Sequence, residues 1–184
     1  MENLINKYSL SLEEGIEQKV KVIANNSHQH LTTERLNQLI RLVDLTSLNT
    51  DDNEPFIAKL CDKVLRLNEN YEGVNNVAAV CVYPPLVELV SKKLKGKNIS
   101  VASVGGSFPT SQTYPGIKKA ECKEIISHGA DEVDIVMSIG QFLAGNYDYV
   151  YDEIAEIKEA IGNKKLKVIL ETGMINDYKN IQLA

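Results

Sequence analysis

The sequence predicts an α/β domain built on a parallel sheet. Short apolar, β-branched runs recur at roughly 25 to 35 residue intervals, the length of a strand, a helix and two turns. Helical patterns of period 3.6 separate them, and glycine or proline punctuates the boundaries. Strands that alternate with helices imply right-handed parallel crossovers, hence either an open doubly wound sheet or part of a (β/α)8 barrel. No G-x-G-x-x-G follows the first strand, which argues against a dinucleotide-binding sheet.

Residues 1–40 read as a helical extension. Leu12, Ile16, Val20 and Ile23 lie at helical spacing, predicting a leading amphipathic helix over Ser11 to Ile23 that packs across one end of the core. The polar stretch Ala24 to His30 is a link, and Thr32 or Thr33 caps a second helix bearing Leu36, Leu39 and Ile40. His28 and His30 have no third ligand near them, so a solvated loop is preferred to a metal site.

The βα units occupy residues 41–184. Leu42 to Thr46 is the first strand, and its helix carries Ile57, Leu60, Cys61, Val64 and Leu65 on one face. Val77 to Val82 is the second; Pro84-Pro85 ends it and opens a helix with Leu86, Leu89, Val90 and Leu94. Ile99 to Val104 is the third, running into Gly105-Gly106-Ser107-Phe108-Pro109, whose glycines permit close backbone approach to a ligand. A helix then starts near Pro115. Val133 to Met137 is the fourth strand, followed by the clearest amphipathic helix of the chain, through Val150, Ile154, Ile157 and Ile161. Leu166 to Thr172 is the fifth, with a helix beginning from Asn176.

Composition narrows the function classes. Of the 184 residues 43% are hydrophobic, yet no apolar run approaches the roughly 20 residues of a membrane span. A net charge of −5 with no basic stripe argues against nucleic acid as a partner. Cys61, Cys81 and Cys122 are odd in number and set in apolar patterns, as expected of reduced thiols in a cytoplasmic protein. The first ten residues lack the basic and apolar regions of a secretion signal.

Polar residues inside apolar strands are the informative ones, because each costs free energy unless it is paired or used. They are Asp44, Thr46, Asp134, Lys167, Glu171 and Thr172. By the period-two rule Lys167, Ile169 and Glu171 share a face, and strand five neighbours strand four, so Lys167 is the natural partner of Asp134. The pair reads either as a salt bridge inside a barrel or as a centre for amine and proton-transfer chemistry on a carbonyl.

These residues carry a resemblance. LVDLTSLN at Leu42 to Asn49, VAAVCVYP at Val77 to Pro84, GADEVDIVMSIGQFLAGN at Gly129 to Asn146 and LKVILETG at Leu166 to Gly173 resemble, in order and spacing, the deoxyribose-phosphate aldolase family. The resemblance implies an incomplete TIM barrel of about five βα units and a class I aldolase working without metal or cofactor. Its reaction is the cleavage of 2-deoxyribose 5-phosphate to glyceraldehyde 3-phosphate and acetaldehyde through a lysine Schiff base. Asp134 then matches the proton-transferring aspartate, and Lys167 the lysine lining the same pocket. Asp44 and Thr46 match the pair that binds the substrate's hydroxyl-bearing chain, and Cys81 a pocket-lining cysteine.

One departure from the family pattern matters. The Schiff-base lysine of a strand-six motif like F-I-K-T-S-T-G, a second lysine on strand seven and the phosphate loops are not among these residues, and Lys179 in DYKNI matches none of them. The chain is expected to be the N-terminal two-thirds of such an aldolase, inactive alone. A nucleophile relocated to Lys167 would need burial to depress its pKa more than Asp134 raises it. The unpaired edges of a five-stranded part predict association into a homo-oligomer. The alternative function is a non-catalytic fragment that binds sugar phosphate or serves in assembly.

Overall fold

The computed structural model describes residues 15–184. Helix α1 (Ile16–Asn26) leads through a 3-10 turn (Ser27–His30) into α2 (Thr33–Ile40). The Thr32 hydroxyl caps α2 by accepting the Arg35 N–H at 3.2 Å. Strand β1 (Asp44–Thr46) is joined to β2 (Ala79–Val82) by α3 (Glu54–Leu65) and the short α4 (Leu67–Asn70). Helix α5 (Val87–Leu94) leads to β3 (Ser100–Gly105), and α6 (Pro115–Ser127) leads to β4 (Glu132–Val136). Then come α7 (Ile139–Leu143), α8 (Tyr147–Ile161), β5 (Lys165–Ile169), α9 (Thr172–Ile175) and α10 (Tyr178–Leu183).

The strand order β1-β2-β3-β4-β5 is sequential and every pair is parallel. A doubly wound sheet reverses its order at a switch point, whereas a barrel does not. The fold is therefore α/β of the (β/α)8, or TIM-barrel, type, and β1 and β5 are not paired to close it.

Alternation sorts the side chains onto two faces. Leu45, Val80, Val82, Val101, Val133, Ile135, Leu166 and Val168 point outward into one core with Ile57, Cys61, Val64, Val87, Val90, Cys122, Ile125 and Ile157 of the helices. Each large side chain buried there contributes about 1.5–3 kcal/mol, which fixes the helices on the sheet. The inner face carries the small cluster Ala79, Cys81, Ala102 and Val104. The charged residues of β1, β4 and β5 share that inner face.

Boundaries differ from expectation where the chain bends. Leu42 and Val43 belong to the turn leaving α2, through Leu42 N–H to Leu39 and Val43 N–H to Ile40 carbonyls, and both are exposed. Val77 and Ala78 precede β2, although the Val43 carbonyl already accepts the Ala78 N–H at 2.8 Å. Glu171 and Thr172 are not in β5. Glu171 has φ 51°, which breaks the extended backbone, and Thr172 opens α9, so neither shares the inner face with Lys167. The final helix starts at Tyr178 because the Asp177 carboxylate caps it through the Lys179 N–H.

Helix α1 does not pack on the core as expected. It has no buried residue, and Val20 and Ile23 are 43% and 70% exposed. Ser11, Leu12 and the stretch read for a secretion signal lie outside the described residues. His28 and His30 are exposed on the 3-10 turn.

Gly129 turns the chain from α6 toward β4 at φ 103°, and a Cβ there would stand 2.4 Å from Ser91 Oγ on α5. Gly129→Ala thus combines backbone strain with overlap. It is expected to destabilise the fold by about 1–3 kcal/mol, read as a lower urea midpoint with an unchanged slope.

Candidate active site

The parallel register sets Asp134 beside Lys167 and, two residues earlier, Glu132 beside Lys165. Lys167 Nζ lies 3.0 Å from Asp134 Oδ1 and 3.2 Å from Glu132 Oε2, and it donates a hydrogen bond to Asp44 Oδ2. Lys165 Nζ holds the other Glu132 oxygen, Oε1, at 2.5 Å. The contact with Asp44 reports the shape of the sheet. Four strand spacings would hold β1 and β5 about 19 Å apart if it were flat, too far for one lysine to span. The inner face is therefore concave, and Lys167 ties its two margins together.

Electrostatics differ among the three carboxylates. Burial pushes the Asp134 carboxyl above the usual range; Lys167 pulls it down, but Asp44 and Glu132 add to the rise. Buried Asp134 Oδ1 lies 3.0 Å from the Lys167 ammonium without a well-aligned hydrogen bond among the described residues. Burial also opposes ionisation of Glu132, but Lys165 and Lys167 outweigh it and hold that carboxyl low. For Lys167, burial acts to lower the ammonium pKa, and the carboxylates of Asp44 and Asp134 overcome it, leaving the value raised. That is the opposite of what an amine nucleophile on Lys167 requires.

Cys81 and Thr46 are in register on neighbouring strands. Cys81 Sγ is 3.9 Å from Asp134 Oδ2, and burial, then the Asp134 charge, pushes the thiol up to about 12. The Thr46 hydroxyl donates to the Asp44 carbonyl at 3.0 Å and remains accessible. The structure thus brings Asp44, Thr46, Cys81, Asp134 and Lys167 to one concave face. Glu132 and Lys165 went unread in the sequence, although the period-two rule applied backwards from Asp134 and Lys167 reaches both.

The loop after β3 borders this face. Phe108 packs against the Ala79, Cys81, Ala102 and Val104 cluster and meets the Tyr83 ring edge-on at 6.5 Å between centroids. Ser107 and Ser111, on either side of it, have φ 64° and 57°. Such left-handed conformations cost a non-glycine residue about 1–2 kcal/mol each. Glu121 Oε2 accepts the Ser107 N–H at 2.8 Å, and buried Lys118 donates to Ser111 Oγ at 2.8 Å.

Removing the ammonium leaves three carboxylates facing one another with only Lys165 beside them. Lys167→Met is expected to cost roughly 2 kcal/mol at pH 7, discounted for the partial exposure of the lysine. In the variant Asp134, already raised in the parent, loses the cation that pulls it down, so the deficit shrinks as pH falls through that raised pKa. Urea midpoints of both proteins at pH 7 and pH 4.5 check this. In the parent, the contribution of the raised Lys167 is whole below the ordinary lysine pKa and declines as pH climbs above it.

No helix among the described residues is long and apolar enough to cross a membrane. Residues 38–181 match the family model of the DeoC/LacD family aldolases. The chain is 38% identical over 148 residues to the deoxyribose-phosphate aldolase of Streptococcus mutans, covering 80% of this chain and 62% of that protein. With the human deoxyribose-phosphate aldolase it shares 36% identity over 156 residues, covering 79% and 49% respectively. It thus spans about half to three-fifths of the length of these relatives. A deoxyribose phosphate aldolase structure from Aeropyrum pernix superposes with a TM-score of 0.62 at 22% identity over 83% of this chain and 59% of that one, a likeness of fold. By the match of its family model and the identity of these relatives, the chain belongs to the DeoC/LacD aldolase family.

Proposed function

We propose that residues 41–184 form the first five βα units of a deoxyribose-phosphate aldolase, and that residues 1–40 are a separate N-terminal extension, helical within its described part. The reaction is the reversible cleavage of 2-deoxyribose 5-phosphate to glyceraldehyde 3-phosphate and acetaldehyde. The observation that carries this reading is the Asp44, Asp134 and Lys167 cluster on the concave face, within a chain whose relatives bear that name.

Roles follow from the charges. Asp134, with its carboxyl raised by burial and one oxygen free of a directed donor, is suited to take and return protons during carbinolamine and enamine formation. Lys167 stays an ammonium and stabilises negative charge in the pocket. Asp44 and Thr46 accept and donate hydrogen bonds to the substrate's hydroxyls. Cys81 lines the pocket as a protonated thiol, because its high pKa denies it a thiolate near neutral pH. An imine serves as the electron sink of such a reaction, so neither metal nor cofactor is required. Lys167, held as an ammonium, does not supply the amine that forms it, and on this reading these 184 residues alone are inactive.

Among the described strands, the unpaired edges of β1 and β5 support assembly with further copies or with the remaining βα units of the barrel. A cytoplasmic setting in deoxyribonucleotide catabolism suits the three buried, free cysteines.

Intact-mass measurement after acetaldehyde and borohydride, with a retro-aldol assay, tests the reading on this chain. No specific adduct and no turnover are expected. A single reduced adduct that Lys167→Ala abolishes would assign the nucleophile to this chain and overturn it. Joined to the C-terminal part of the Streptococcus mutans relative, the chain is expected to turn over 2-deoxyribose 5-phosphate. Asp134→Asn should then lower kcat by about 10²-fold or more.

A further inference from the structure

A second charged cluster lies in the helical layer, away from Lys167. Lys118 of α6 is 1% exposed, and Glu153 of α8 is 4% exposed. The Lys118 ammonium donates to Glu153 Oε2, Ser111 Oγ and Ser138 Oγ, each at 2.8 Å, and Ser138 Oγ donates to Glu153 Oε1 at 2.8 Å. All three ammonium hydrogens and both carboxylate oxygens are thereby engaged. A buried pair of this kind is often no more stabilising than two well-packed apolar side chains, so its use must be sought in geometry.

The geometry is specific. Ser111 belongs to the loop after β3 and Ser138 to the exit from β4, while Lys118 and Glu153 come from the helices behind them. One turn along α6, Glu121 holds the Ser107 N–H of the same loop at 2.8 Å. Both serines held from α6 have positive φ, 64° for Ser107 and 57° for Ser111. Between them Phe108 lies against the inner-face cluster that contains Cys81. A strained backbone persists only where its surroundings over-determine it, and here two charged side chains of one helix do so.

We propose that Lys118 and Glu153 are positioning residues: through Ser111 and Ser138 they lock the loops after β3 and β4 together, so that Phe108 is held against the inner face beside Asp134's strand. This deepens the aldolase reading, since the loop walls the proposed pocket. Its test reads thiol access on this chain instead of turnover, so either idea can fail alone.

Alkylation of Cys81 and Cys61 by iodoacetamide, followed by mass spectrometry, separates loop release from unfolding. Cys81 lies in the cluster against which Phe108 packs, and Cys61 lies in the outer core. In Ser111→Ala and in the apolar double variant Lys118→Met/Glu153→Met, Cys81 should react roughly tenfold faster or more, with Cys61 unchanged. Unchanged Cys81 in a folded variant, or Cys61 accelerating in step with Cys81, would overturn the proposal by making the cluster merely structural. Should the double variant not fold, Ser111→Ala decides, because it leaves the buried ion pair intact.

Discussion

The ammonium of Lys167 is the contact on which the inner face depends. It is the point where strands β1, β4 and β5 meet, and it can reach all three only because the sheet is curled. Around it the charges do not balance: Asp44, Glu132 and Asp134 face Lys167 and Lys165. Three carboxylates against two ammonium groups leave one negative charge in excess. The carboxyl that responds is Asp134: burial is the main cause of its raised affinity for a proton, and the charges of Asp44 and Glu132 add to it. Glu132 is also buried but has a lysine on each oxygen, and it stays low. Both carboxyls lose water; two lysines act against that loss at Glu132 and one at Asp134.

The two faces of the sheet divide the work. Outward positions of β2, β3 and β4 are valines and isoleucines locked into the helices, and they supply the burial that holds the arc together. Inward positions of β2 and β3 include Ala79, Cys81, Ala102 and Val104, the last in register with Asp134. The interior of a filled barrel is stacked with bulky branched residues. Ala79, Cys81 and Ala102 fill less of this face than such residues would, and the Tyr83 and Phe108 rings border it from the loops. The concave face thus sets one carboxyl of raised pKa beside an apolar border.

Much of this was legible in the sequence because it rests on period-two alternation and strand adjacency, both local rules. Five strands, the helices between them and the pairing of Asp134 with Lys167 follow from those rules. The failures share a cause in longer-range geometry. Glu171 reads as a strand residue until the backbone turns left-handed there, and α1 has a good apolar stripe that meets no described core. That Asp44 reaches Lys167 depends on curvature, which no spacing in the chain encodes. The Lys118 and Glu153 pair was hidden for another reason: in an amphipathic pattern a lysine reads as solvent-facing, and only a partner 35 positions away makes its burial tolerable.

The exposure of β5 bears on how these charges are tuned. Every residue of β2 is buried, whereas Lys165 and Ile169 of β5 are exposed and its outer edge has no strand beside it among the described residues. Lys167 consequently keeps a third of its side chain in water. Water at that edge screens the ammonium from Asp44 and Asp134 and weakens its hold on both. Any segment laid along β5 would remove that water, strengthening attraction within the cluster while making each unpaired charge costlier. The two effects oppose each other at Asp134: Lys167 would pull its pKa down, and deeper burial would push it up. Burial is already the largest influence on Asp134, so desolvation has the larger lever. Covering this edge would therefore raise Asp134 further, unless the covering segment brought a cation of its own.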